Sequence, residues 1–119
     1  MLNDQLKSFL SYLKIVRHFS PHTIKNYGRD LIKFAEFLEK EIDKWEEVRE
    51  HHVRDFINKE RRRGLNSRSL QRMLSSFRSF FSFLIDEEIT EVNPALNISS
   101  PKSASLLPKA LDTDLVQRL

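Results

Sequence analysis

This chain has no cysteine, only two glycines and four prolines, and a single tryptophan among its 119 residues. Without cysteine there can be no disulfide framework and no thiolate metal site, which suits a reducing compartment. Few glycines and prolines leave few obligatory breaks, so long helices are favoured, and no glycine-rich loop is present to cradle a phosphate. No stretch approaches the roughly 18 apolar residues of a membrane span. The opening Met-Leu-Asn-Asp-Gln-Leu lacks the basic flank and apolar run of a secretory signal. These absences together predict a cytoplasmic protein that makes no use of a membrane.

What is present is 31% charged and 39% hydrophobic residues, an ordinary soluble composition with enough length for one core. The net charge of +3 is small, and its distribution is more informative. Lys59 to Arg78 holds seven Lys or Arg and one acid, Glu60, whereas Glu36 to Asp55 holds eight acids and four bases. From Ser79 to Pro101 there is no basic residue, and Asp86, Glu87, Glu88 and Glu91 cluster. Such a map predicts one surface suited to a polyanion and another kept away from it.

Apolar spacing predicts five helical segments. The first, about Asn3 to His18, carries Leu6, Phe9, Leu10, Leu13 and Val16 on one stripe. Ser20 caps a second, with Pro21 at its first position, running to about Lys40 over Ile24, Tyr27, Leu31, Phe34, Ala35 and Leu38. The loop after it plugs the core with Trp45. A third, about Glu50 to Arg63, buries Val53, Phe56 and Ile57 and ends at Gly64. The fourth, capped by Ser67 and ending near Ile85, buries Leu70, Met73, Leu74, Phe77, Phe80, Phe81 and Leu84. Asn93-Pro94 breaks the helical pattern, and the Ser- and Pro-rich run from Ser99 reads as a linker. Asp112 then caps a fifth segment with Leu115, Val116 and Leu119, whose stripe has nothing to pack on. It reads as the first piece of a further domain.

The candidate binding residues lie opposite the apolar stripes. On the second helix these are His22, Asn26, Arg29 and Lys33, with Lys25 beside them. On the fourth they are Arg68, Arg72, Ser75 and Ser79, with Gln71 and Ser82 on the shoulder. Small hydroxyl residues let a helix axis approach a duplex closely, and arginines supply forked donors to phosphate. Asn26, Gln71 and Arg72 are chemically able to read base edges. The competing reading is a solvated polar face on a bundle that self-associates through its acidic and basic sides. The four histidines have no metal-site spacing, and no nucleophile, base and acid are grouped for catalysis. Tyr12 and Tyr27 fall at apolar positions and are expected in the core.

Taken in order, Ser20-Pro21-His22-Thr23 through Tyr27-Gly28-Arg29-Asp30-Leu31, Arg63-Gly64-Leu65-Asn66-Ser67-Arg68-Ser69-Leu70, Leu74 through Phe81 and Asn93-Pro94-Ala95 resemble the N-terminal core-binding domain of tyrosine recombinases. The tail from Pro101-Lys102 to Leu107-Pro108-Lys109-Ala110-Leu111 is similar to the interdomain segment of the Xer branch. The resemblance implies an all-α, compact four-helix orthogonal bundle of the SAM-like type with a C-terminal linker. It divides the chain into a DNA-binding domain at 1–92, a linker at 93–111 and the start of a catalytic domain at 112–119. It also implies half of a clamp on duplex DNA at a recombination core site, working with the protein's own catalytic domain and with paired recombinase subunits in a tetramer near the nucleoid. Such a parent resolves chromosome dimers; a phage or transposon integrase is the alternative of the same class. Carried over by position, the DNA-facing residues are Thr23, Asn26, Arg29, Arg68, Arg72, Ser75 and Arg78, with Lys102 on phosphate. The family's catalytic arginines, lysine, histidines and nucleophilic tyrosine match nothing in this chain, which is expected to be inert and to need no cofactor.

Overall fold

The computed structural model of the protein describes residues 2–99. Four α-helices follow one another: α1 (Leu2–Ile15), α2 (Pro21–Leu38), α3 (Glu50–Arg62) and α4 (Ser67–Asp86), with a single 3₁₀ turn at Trp45–Glu47. There is no strand among the described residues, and the fold is an all-α helical bundle. The expected fifth segment at 112–119, like Lys102, lies outside the described residues.

The helix ends follow from local chemistry. Ser20 accepts a hydrogen bond from the Thr23 N–H at 3.2 Å, and Pro21 needs no partner for an N–H it lacks. Gly64, at φ 102°, closes α3: its N–H reaches the Arg61 carbonyl, and the Leu65 N–H reaches that of Glu60. The cap of α4 is Asn66, one residue before the expected Ser67. Its side-chain oxygen accepts from the Ser69 N–H at 2.9 Å, while its extended backbone keeps it outside the helix. α1 stops at Ile15, short of the expected His18, because His18 turns into the left-handed region at φ 57°. Val16, expected on the buried stripe, is therefore 60% exposed.

The core is aromatic. Phe34 stacks on Phe77 with ring centroids 4.5 Å apart, and Phe9 meets Phe80 edge-on at 5.3 Å. These contacts join α1 and α2 to α4, the helix they share. Trp45 fills the gap beside Phe80 and donates its indole N–H to the Leu2 carbonyl at 3.0 Å, tying the loop to the first turn. All seven apolar residues predicted for α4 are buried, and Phe83 joins them against Phe9. Gly28 lets α1 come close: a Cβ there would stand 3.2 Å from Leu10. Tyr12 and Tyr27 are only half-buried, packed over Phe83 and Phe19, since a hydroxyl with no buried partner stays at the water boundary. Pro94, Ala95 and Ile98 are buried too, so the first residues of the stretch read as a linker pack on the bundle.

Candidate nucleic-acid interface

The polar stripes of α2 and α4 are fastened to each other at one point. Asp30 is buried on α2, and Arg72 of α4 grips it with two parallel bonds, Nε to Oδ2 at 3.0 Å and Nη2 to Oδ1 at 3.1 Å. A planar guanidinium matched to a carboxylate in this way fixes orientation as well as distance. Asn26, Arg29 and Lys33 lie within one turn of Asp30 on α2, while Arg68, Gln71 and Ser75 lie within one turn of Arg72 on α4. The ion pair therefore holds the two predicted ridges side by side.

The predicted residues divide by what their side chains already do. Arg29, Arg68, Gln71 and Ser75 are exposed. Arg29 donates to the Asn26 side-chain oxygen at 2.9 Å, and the Asn26 amide lies 3.3 Å from His22 Nε2, so α2 presents a hydrogen-bonded string. Thr23 is tied into the helix cap, its hydroxyl 3.0 Å from that of Ser20. Lys33 leans across to α3, 3.7 Å from Glu60, a buried carboxylate that Arg63 also holds at 3.1 Å. Arg72 gives Nε and Nη2 to Asp30, and its side chain is 31% exposed. Arg78 points to the other side of the stripe and donates to the carbonyls of Ala95, at 3.1 Å, and Ile98.

Burial raises the Tyr27 hydroxyl above its ordinary range, and the Asp30 charge pushes the same way against Arg17. His52, in the first turn of α3, is lowered by burial and by His51, against the pull of Glu41. Its Nδ1 accepts from the Arg49 N–H at 2.9 Å at the start of α3. Among the described residues no group of three or more His, Asp or Glu is placed to hold a metal. No described helix is long and apolar enough to cross a membrane.

Asp30 and Glu60 are the functional-face residues that the sequence reading missed. Both occupy helical positions on an apolar stripe: Asp30 stands one turn from Tyr27 and Phe34, and Glu60 one turn from Phe56 and Ile57. An acid at such a position must find a partner: Asp30 finds Arg72 on the neighbouring α4, and Glu60 finds Lys33 on α2 and Arg63 at the end of its own helix. That spacing was the available signal.

The architecture places the protein among small all-α helical domains, here packed round one aromatic core. Residues 6–88 match the family described as phage integrase, N-terminal SAM-like domain, and the chain belongs to that family. Over 114 residues it is 40% identical to the tyrosine recombinase XerC of Alcanivorax borkumensis, covering 96% of this chain and 36% of the relative. Over 119 residues it is 37% identical to tyrosine recombinase XerC of Stutzerimonas stutzeri and of Escherichia coli O157:H7, covering 99% of this chain and 40% of each relative. The chain thus spans about two fifths of the length of the curated relatives it matches. No solved structure matches it.

Proposed function

We propose that this chain is the DNA-binding domain of a Xer-type site-specific tyrosine recombinase, forming half of a clamp on duplex DNA at a recombination core site. The observation that carries the reading is the Asp30–Arg72 pair, which holds two hydroxyl- and arginine-bearing helix faces side by side while leaving Arg29 and Arg68 exposed. Two such ridges offer cations to phosphates, and Gln71, Ser75 and Asn26 offer donors and acceptors to base edges. In this reading Arg29 and Arg68 contact the backbone, and Lys33 joins them by leaving Glu60. Thr23 and Arg72 position the ridges, and Lys102 supplies a phosphate contact from the connection.

The division into a body at 1–92, a connection at 93–111 and the start of a catalytic domain at 112–119 belongs to the same proposal, as does the chain's own lack of activity. So do its wider partners: the parent's catalytic domain, paired recombinase subunits in a tetramer, a cytoplasmic location at the nucleoid, and chromosome dimer resolution.

The test is a titration of a duplex fragment against salt. Roughly four to six phosphate contacts give a log–log slope of about −4 to −5. Arg29→Ala and Arg68→Ala should each lower that slope by about one. A slope near zero, with mass that rises with protein concentration in the absence of DNA, would favour a helical self-association module instead.

A further inference from the structure

Arg78 sits among the basic residues of α4, yet its donors face inward. Its Nε and Nη2 hold the carbonyls of Ala95 and Ile98, and its own carbonyl accepts from the Asn93 side-chain amide at 3.0 Å. The same amide lies 3.3 Å from the Ser82 hydroxyl, one turn further along α4, and the Asn93 oxygen accepts from the Ala95 N–H at 3.1 Å. Beneath this polar lock Ala95 is fully buried and Ile98 is 6% exposed. The turn is closed internally by the Leu96 N–H on the Asn93 carbonyl and the Ile98 N–H on that of Ala95. A guanidinium at the carbonyl end of a short turn makes charge-assisted bonds in the favourable sense.

We infer that Arg78 is a positioning residue: locked with Asn93, it fastens residues 93–98 to the edge of the α4 polar stripe and so fixes where the rest of the chain departs from the proposed DNA face. The lock is reciprocal, because Arg78 holds the turn and the turn's asparagine holds the Arg78 backbone. Ser75 and Ser82 flank Arg78 on the helix by one turn on either side, so the point of departure lies beside the residues that face the duplex. A connection that starts beside that face has a higher effective concentration at the duplex without any new contact. This inference rests on the DNA-binding reading for its purpose, while the lock itself can be tested without DNA.

The absence of cysteine allows unique labelling. Spin labels at Lys14→Cys and Ser99→Cys report one narrow distance in the otherwise unchanged chain. Arg78→Ala and Asn93→Ala should each broaden that distribution while the helical content of the body is retained. Exchange of the Ala95, Leu96 and Ile98 amides should accelerate about tenfold or more, the loss of bonds to a charged donor. In the DNA titration, both variants should weaken binding by a similar factor with an unchanged salt slope, since Asn93 carries no charge to lose. A distribution that stays narrow in Arg78→Ala overturns the inference. So does a salt slope that falls by about one in Arg78→Ala alone, which would make Arg78 a phosphate contact. If no form of the chain binds DNA, the proposed function fails, and the label distances still decide whether the lock exists.

Discussion

Removing Arg72 should cost more stability than removing the carboxylate it holds. The Asp30 side chain is 2% exposed and that of Arg72 31%, so desolvation falls mainly on the acid. In Arg72→Ala the carboxylate stays buried without its two donors, and breaking a fully buried pair in this way costs about 3–5 kcal/mol. Water entering along the vacated arginine path offsets part of that, which leaves an expected loss of about 2–4 kcal/mol. For a body of this size each kcal/mol lowers the melting temperature by roughly 4–8 °C, so the shift should be at least about 8 °C. Asp30→Ala frees Arg72 to turn into solvent and should cost about half as much. The double variant Asp30→Ala/Arg72→Ala should be more stable than Arg72→Ala alone, because the uncompensated charge is gone. Urea denaturation of the four proteins measures every term of this cycle. If Arg72→Ala lies within about 0.5 kcal/mol of the parent, or if the double variant is the least stable of the four, the pair is not what holds α2 to α4.

Other outcomes follow from single residues. Glu88 adopts a positive φ of 62° at the end of α4, with the Ile89 N–H on the Leu84 carbonyl, a geometry that glycine takes without strain. Glu88→Gly should therefore raise stability by about 0.5–1 kcal/mol in the same urea assay, and a loss would contradict it. His52 is held below the usual histidine range by burial, so the folded protein takes up a proton less readily than the unfolded chain. Its contribution is complete above that range, near pH 6.5, and is lost as pH falls through the lowered value. His52→Gln, which can still cap α3, should flatten the stability profile between pH 7.5 and 5; parallel profiles would refute the assignment.

Helix number and type were legible because spacing alone creates a stripe that must be buried. Ser20-Pro21 and Gly64 mark boundaries by bond geometry that needs no distant partner. The same local logic placed the seven apolar residues named on α4 between Leu70 and Leu84 in the core, and all seven are buried. Caps slipped by a residue where two adjacent side chains could serve, as with Asn66 and Ser67, and α1 ended early because a left-handed His18 leaves no sequence mark. The polar faces of α2 and α4 could also be read from the sequence, since a residue's side of its helix is a local property. Which arginines stay available could not. Arg68 and Arg72 look alike on a wheel, and Arg78 entered by resemblance; the three part only when α2 brings Asp30 to one and the turn at 93–98 brings its carbonyls to another. Periodicity says which way a side chain points, while its occupation depends on contacts separated by 42 residues for Arg72 and about 20 for Arg78. Only the packed chain brings those groups within reach.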